Sequence, residues 1–134
     1  KEVFYMSVHN FKNTQAVVAG NILTGFADGD AISAEPNEDK WTQNVGADGN
    51  VTWNESNNET GTFTFKLKPE SASVPILLQL YKSGESFDVM LHDTTLNKRV
   101  TGEDCRIQKL PPFTRAEEVE ALEYVILAAH YKED

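Results

Sequence analysis

Apolar and polar residues alternate without interruption from Thr62 to Lys68, with Phe63, Phe65 and Leu67 on one side and Thr62, Thr64, Lys66 and Lys68 on the other. A half-buried strand has this period, because successive side chains leave the backbone on opposite faces. The same alternation recurs at Phe87, Val89 and Leu91 within 86–93, followed by a turn region over 92–97. Val100, Cys105, Ile107 and Leu110 mark a further strand that Pro111-Pro112 stops. Upstream, residues 15–19 and 21–26 are two β-prone runs about Gly20, which predicts a hairpin or a bulge. Residues 31–35 read as a strand ended by Pro36, whose missing N–H excludes it from a central ladder. Residues 41–45 and 51–55 flank Asp48-Gly49, a dipeptide that predicts a two-residue turn with both central positions at positive φ.

The period changes once, after Leu67-Lys68-Pro69. Ser73 is the expected N-cap of a helix over 73–83, and Pro75 falls in the first turn, where its missing N–H is harmless. Ile76, Leu77, Leu80 and Tyr81 share the expected packing face, and Gly84 is placed to end the helix. The segment 115–132 carries both signals. Its Glu, Ala and Leu content favours helix, whereas Leu122, Tyr124, Ile126, Ala128 and His130 fit a period of two around β-branched Val125-Ile126. Pattern alone does not choose between them.

At 134 residues, with 40% hydrophobic and 25% charged residues, the chain has the composition and size of one globular domain spanning 1–134. No apolar run approaches the roughly 20 residues that span a bilayer, and the stretch 1–10 has no signal-peptide core, so no membrane insertion is expected. The single Cys105 makes no internal disulfide, so nothing calls for an oxidising compartment. Three glycosylation sequons, at Asn50, Asn54 and Asn58, read as chance in an Asn-rich stretch. The net charge of −9 argues against a nucleic-acid-binding surface, which needs clustered Lys and Arg. Solubility accounts for that charge, and so does a surface that repels a polyanion.

The groups that run reactions are missing as sets. His9, His92 and His130 are the available imidazoles, and none lies in a nucleophile motif. Cys105 reads as a small packed residue, and one Cys with scattered His does not make a zinc site. Asp28-Gly29-Asp30 followed by Glu35, Glu38 and Asp39 has the look of a calcium loop. It fails in detail, with Ser33 where the sharp turn needs Gly, Pro36 inside the frame and Asp39 in place of a bidentate Glu. Gly25, Gly29, Gly46 and Gly49 lack the Lys-Ser/Thr or helix of a phosphate loop. The chain is therefore read as a non-enzyme without cofactor or metal. Trp41 and Trp53 bracket the Asp48-Gly49 turn, either as a cross-strand pair fixing register or as an exposed pair that a neighbouring subunit buries.

Gly25-Phe26-Ala27-Asp28-Gly29-Asp30-Ala31-Ile32-Ser33, then Asn37-Glu38-Asp39-Lys40-Trp41-Thr42 and Val45-Gly46-Ala47-Asp48-Gly49, resembles the tail tube proteins of contractile-tailed bacteriophages. The likeness runs on through Ser56-Asn57-Asn58-Glu59-Thr60-Gly61-Thr62 into the alternating strand and its helix, across most of the first two thirds of the chain. Glu35-Pro36 interrupts a run that is usually unbroken, and the C-terminal third matches weakly. The resemblance implies a mainly β protein, a β-sandwich or open barrel flanked by one helix, assembling as hexameric rings. Stacked rings would form a tube whose bore is a continuous β-barrel. It also favours strand for 120–130.

Further expectations follow from that resemblance. The subunit would stack on itself in the virion tail, within a tail sheath and between baseplate and terminator proteins, after synthesis in the bacterial host cytoplasm. Double-stranded DNA would pass through the bore without specific binding. The excursion 36–60 would carry contacts between rings through Trp41, Gln43, Asp48, Gly49, Trp53 and Asn57. Asp30, Glu35, Thr62, Thr64, Lys66 and Lys68 would face the lumen, with acids offsetting the two lysines. The alternatives are a tail terminator, a pyocin or type VI secretion tube subunit of the same fold, or a β-sandwich binding calcium through Asp28, Asp30, Glu38 and Asp39.

Overall fold

Phe63, Phe65 and Leu67 are fully buried in the computed structural model, which describes residues 14–27, 31–112 and 121–134. Around them the chain runs β1 (Thr14–Val18), β2 (Asn21–Ile22), β3 (Ile32–Pro36), β4 (Trp41–Val45), β5 (Val51–Glu55), β6 (Gly61–Leu67), α1 (Ser73–Ser83), β7 (Phe87–Asp93), β8 (Lys98–Lys109) and β9 (Leu122–Glu133). Seven strands make one open antiparallel sheet in the order β2-β1-β7-β8-β9-β6-β3. Among the described residues, β4 and β5 pair only with each other. The chain is mainly β with a single helix among the described residues.

The expected strands over 62–68, 86–93 and 100–110 all form, and the ambiguous C-terminal segment is strand β9. Its place explains why pairing overrides helix propensity. β9 lies between β8 and β6, so both of its backbone edges are hydrogen-bonded, and Tyr124, Ile126 and Ala128 enter the core. Beyond Ala128 the expected alternation changes phase. His130 is exposed, and Tyr131 packs against Phe63 instead, with ring centroids 5.6 Å apart. β8 also changes phase. A bulge against β7 separates the pairs Val89↔Gly102 and Phe87↔Cys105, and Asp104 takes φ 56° there. The extra residue lets Val100 and Cys105, of opposite parity, pack on the same core.

Turn chemistry meets expectation at Gly20 and departs from it at Asp48-Gly49. Ala19-Gly20 forms the two-residue hairpin turn, both residues at positive φ (53° and 84°), between the pair Val18↔Asn21. Asp48-Gly49 does not. The Gly46 N–H donates to the Asn50 carbonyl and the Gly49 N–H to the Gly46 carbonyl, and Gly49 takes φ 89° while Asp48 keeps an ordinary negative φ. The loop is thus a three-residue one closed by a left-handed glycine, and Asp48 is recruited as an acceptor for the Asn50 N–H and side-chain amide. β2 ends at Ile22, short of the expected 26, because the chain then crosses towards β6 and bridges Phe26 to Leu67. Pro36 closes the outermost strand, where a missing donor costs no ladder bond.

The helix has its expected ends and a shifted face. Ser73 is not the N-cap. Ala72 holds that position without a side-chain cap, Ser73 is the first helical residue, and its hydroxyl accepts the Thr24 N–H at 2.9 Å. Ser71 supplies a substitute by accepting the Ser73 N–H at 3.0 Å. Gly84 ends the helix at φ 72°, and the Arg106 guanidinium donates to its carbonyl at 2.5 Å. Leu77 is fully buried, with Val74 and Leu80 packed beside it on the core, whereas Tyr81 is exposed. The packing stripe is centred on Leu77 and runs through i−3 and i+3, so it passes Tyr81 by.

Cys105 lies in this core as a packed residue, and burial, with Asp88 adding to it, pushes its thiol up to about 12 from 9.0. Burial raises Tyr131 above the ordinary phenol range too, with the Glu133 carboxylate acting in the same direction. Both groups hold their protons more tightly in the folded chain. Their contribution to stability is therefore complete below the unfolded pKa values; that of Cys105 is lost as pH rises from about 9 towards 12, and that of Tyr131 as pH rises above 10.0. Melting temperature should fall across that window, and Cys105→Ala with Tyr131→Phe should flatten the fall in a pH series.

Candidate assembly surface

The strands β4 and β5 form a two-stranded ribbon in which every residue is exposed. A lone hairpin of this size is marginal in water, so its base matters. There the Asn37 N–H donates to the Thr60 carbonyl at 3.0 Å, and the Asn37 amide to the Thr60 hydroxyl at 2.9 Å. Asn58 accepts both the N–H and the hydroxyl of Thr60, and Ser56 accepts the Asn58 N–H. The base is also tied to the main sheet. The Tyr131 N–H donates to the Glu59 carbonyl at 2.8 Å, and the His130 imidazole lies 3.6 Å from the Glu59 carboxylate. A cleft of about 510 Å³ opens at this junction, lined by Glu38, Asp39, Glu55 and Glu59 among others.

Five of the six residues expected to carry ring contacts lie on the ribbon, Trp41 and Gln43 on β4, Trp53 on β5, and Asp48 and Gly49 at its tip. Asn57 lies in the base loop and lines the cleft. The two tryptophans are not direct cross-strand partners. Trp41 stands opposite Glu55 and Trp53 opposite Gln43, which puts the indoles on one face as diagonal neighbours. They are 51% and 60% exposed and stand outside the core that the described residues form. Glu55 has its counter-ion in Lys40, 3.6 Å away.

The second expected group falls on the main sheet. Thr62, Thr64 and Lys66 are half-buried on the face of β6 opposite Phe63 and Phe65. Glu35 stands directly across from Thr62 and shares that face. Lys68 follows the end of β6, exposed, with its N–H bonded to the Gly25 carbonyl at 2.8 Å. Asp30 lies outside the described residues, as does Asp28. On the other side of β6, Glu123 stands opposite Lys66, Val125 opposite Thr64 and Leu127 opposite Thr62. Sequence reading missed these β9 partners, because a segment of undecided element type has no defined face. At the far end of β9, Tyr131 donates to Glu133 at 2.7 Å and Lys98 pairs with Glu133 at 3.0 Å, which together hold that carboxyl below its ordinary range.

Among the described residues, no group of three or more His, Cys, Asp or Glu side chains is placed to hold a metal ion, and no helix is long and apolar enough to cross a membrane. Glu38 and Asp39 are exposed at the ribbon base.

No protein-family model matches the chain, and no curated protein sequence matches it. Solved structures do. A chain of the sheath–tube complex of PVC, an extracellular contractile injection system in its extended state, is similar over 91% of this chain and 88% of its own, with a TM-score of 0.62 at 11% identity. A chain of the PVC sheath/tube terminator is similar over 91% and 93%, with a TM-score of 0.59 at 10% identity. A chain of the tube-terminating cap of the anti-feeding prophage is similar over 91% and 87%, with a TM-score of 0.60 at 11% identity. This chain shares its fold with these three chains.

Proposed function

We propose that this chain is a structural, non-enzymatic subunit of a contractile injection apparatus, forming hexameric rings that stack into its inner tube. The observation that carries this reading is a wholly exposed ribbon on a fold shared with tube components. Residues 36–60 serve as the stacking arm, and the outer edges of β2 and β3, which carry no strand partner among the described residues, offer backbone to neighbours in a ring. The face bearing Glu35, Thr62, Thr64 and Lys66 lines the bore, and Lys66 there is offset by Glu123 across the strand pair. In a phage tail the acidic chain would let DNA pass without adhering, since each phosphate contact would add drag. Sheath, baseplate and terminator proteins are the partners of this reading.

A terminator or cap role is the second reading, favoured by the nearly equal likeness to a sheath/tube terminator and to a tube-terminating cap. Negative-stain electron microscopy of the purified chain tests both. Six-fold rings that lengthen into tubes are expected for a tube subunit, and single rings that never stack for a terminator. Deleting residues 43–52 should leave a folded domain that no longer stacks. Normal tubes from that deletion would overturn the assignment of the arm.

A further inference from the structure

The ribbon has two unlike faces. Registry places Trp41, Gln43, Val45, Val51, Trp53 and Glu55 on one side and Thr42, Asn44, Thr52 and Asn54 on the other. The first face exposes Trp41, Val45, Val51 and Trp53 by 51%, 61%, 46% and 60%. The second holds only neutral hydrogen-bonding side chains, paired Thr42↔Asn54 and Asn44↔Thr52. Such alternation on a ribbon with no core beneath it marks the apolar face for burial elsewhere.

Charge identifies the occupant. A quarter of the chain is charged and the net charge is −9, yet the ten residues of β4 and β5 include a single charged group, Glu55, already paired with Lys40. A basic partner would be met by acids. Two copies of an acidic chain repel, and they associate where charge is depleted. We infer that the Trp41/Trp53 face of the ribbon is a contact with a second copy of this chain, with Trp41, Val45, Val51 and Trp53 at its centre and the Glu55–Lys40 pair at its rim, while the Thr/Asn face stays in water. This rests on the reading of the ribbon as the stacking arm and adds which side of it binds. The apolar area is on the order of 400 Å², about half of what a standard interface buries per partner. One contact is too small for a stable dimer, so copies must engage together around a ring.

The chain has two tryptophans, and both are on this face, so tryptophan emission excited beyond the tyrosine band reports this face. Wild type, the 43–52 deletion, Trp41→Thr with Trp53→Thr, and Asn44→Asp with Asn54→Asp are compared by sedimentation and electron microscopy over a concentration series. Wild-type emission should move to shorter wavelength as assemblies form, with no dimer plateau. The Trp pair should raise the concentration needed for assembly about tenfold or more per indole lost, while its melting temperature stays near wild type. The Asn pair should assemble within a few-fold of wild type. Tubes from the deletion would remove the arm reading itself. A deletion that blocks stacking, combined with an Asn pair that blocks it and a Trp pair that does not, would overturn the face assignment alone. Short-wavelength emission at every concentration would mean that the chain covers its own tryptophans. Persistent long-wavelength emission without self-association would mean a different partner. Either result overturns the inference.

Discussion

Leu77→Asp is expected to destabilise the domain by about 5 kcal/mol, most of the stability a domain of this size has. Leu77 is fully buried where α1 meets the sheet, within a cluster that includes Phe63, Phe65, Leu67 and Ile126. The carboxylate would replace an apolar side chain that has no water to return to, and no cation among the core residues would answer it. Leu78, one position on, is 36% exposed and points away from that cluster. Leu78→Asp should therefore stay within about 0.5 kcal/mol of wild type, as surface substitutions do. Thermal melts of the pair separate a helix packed by its Leu77 stripe from one packed by any other. Equal melting temperatures would remove α1 from the core, and a larger loss at Leu78 would turn it over.

Much of this architecture was legible because local periods carry it. Phe63-x-Phe65-x-Leu67 and Phe87-x-Val89-x-Leu91 needed no partner to be read as strands, and α1 ends where Gly84 takes φ 72°. What could not be read is what distant pairing decides. β9 inserts between β8 and β6, and only that neighbourhood outweighs the helix propensity of its Glu, Ala and Leu. The bulge at Asp104 shifts the phase of β8, so a fixed period assigns Gly102 to the wrong side. His130 and Tyr131 exchange exposure for a similar reason, as the strand rotates past Ala128. Asp48-Gly49 carries the stronger turn dipeptide, yet Ala19-Gly20 makes the two-residue turn, because the Val18↔Asn21 register leaves two residues to close it. The ribbon was visible as an excursion the core does not need. The grouping of Glu35 with Thr62 was accessible only through the pairing of β3 with β6, and that of Lys66 with Glu123 only through β9.

Gly102→Ala should cost about 3 kcal/mol, the upper end of the range for overfilling a packed core. A Cβ built at Gly102 would stand 2.5 Å from Phe63 Cε1, 3.0 Å from the Ala128 Cβ and 3.1 Å from the Cys105 Sγ. None of the three has room to retreat, since Phe63 and Cys105 are fully buried and Ala128 is 2% exposed. The Phe63 ring is held from two more sides, stacked on Phe65 at 6.5 Å and tilted against Tyr131 at 5.6 Å. Relief must then come from the backbone at the β8 bulge, which carries the register of both β7 and β9. If ring overlap is the cause, shortening the ring should release it. Phe63→Leu alone should cost about 1 kcal/mol, and the double variant should be more stable than the sum of the two single losses predicts. Denaturant melts of the four proteins give that coupling. A Gly102→Ala protein that melts with wild type would mean that β8 and β6 do not approach each other through Phe63, and the packing of the central sheet described above would be wrong.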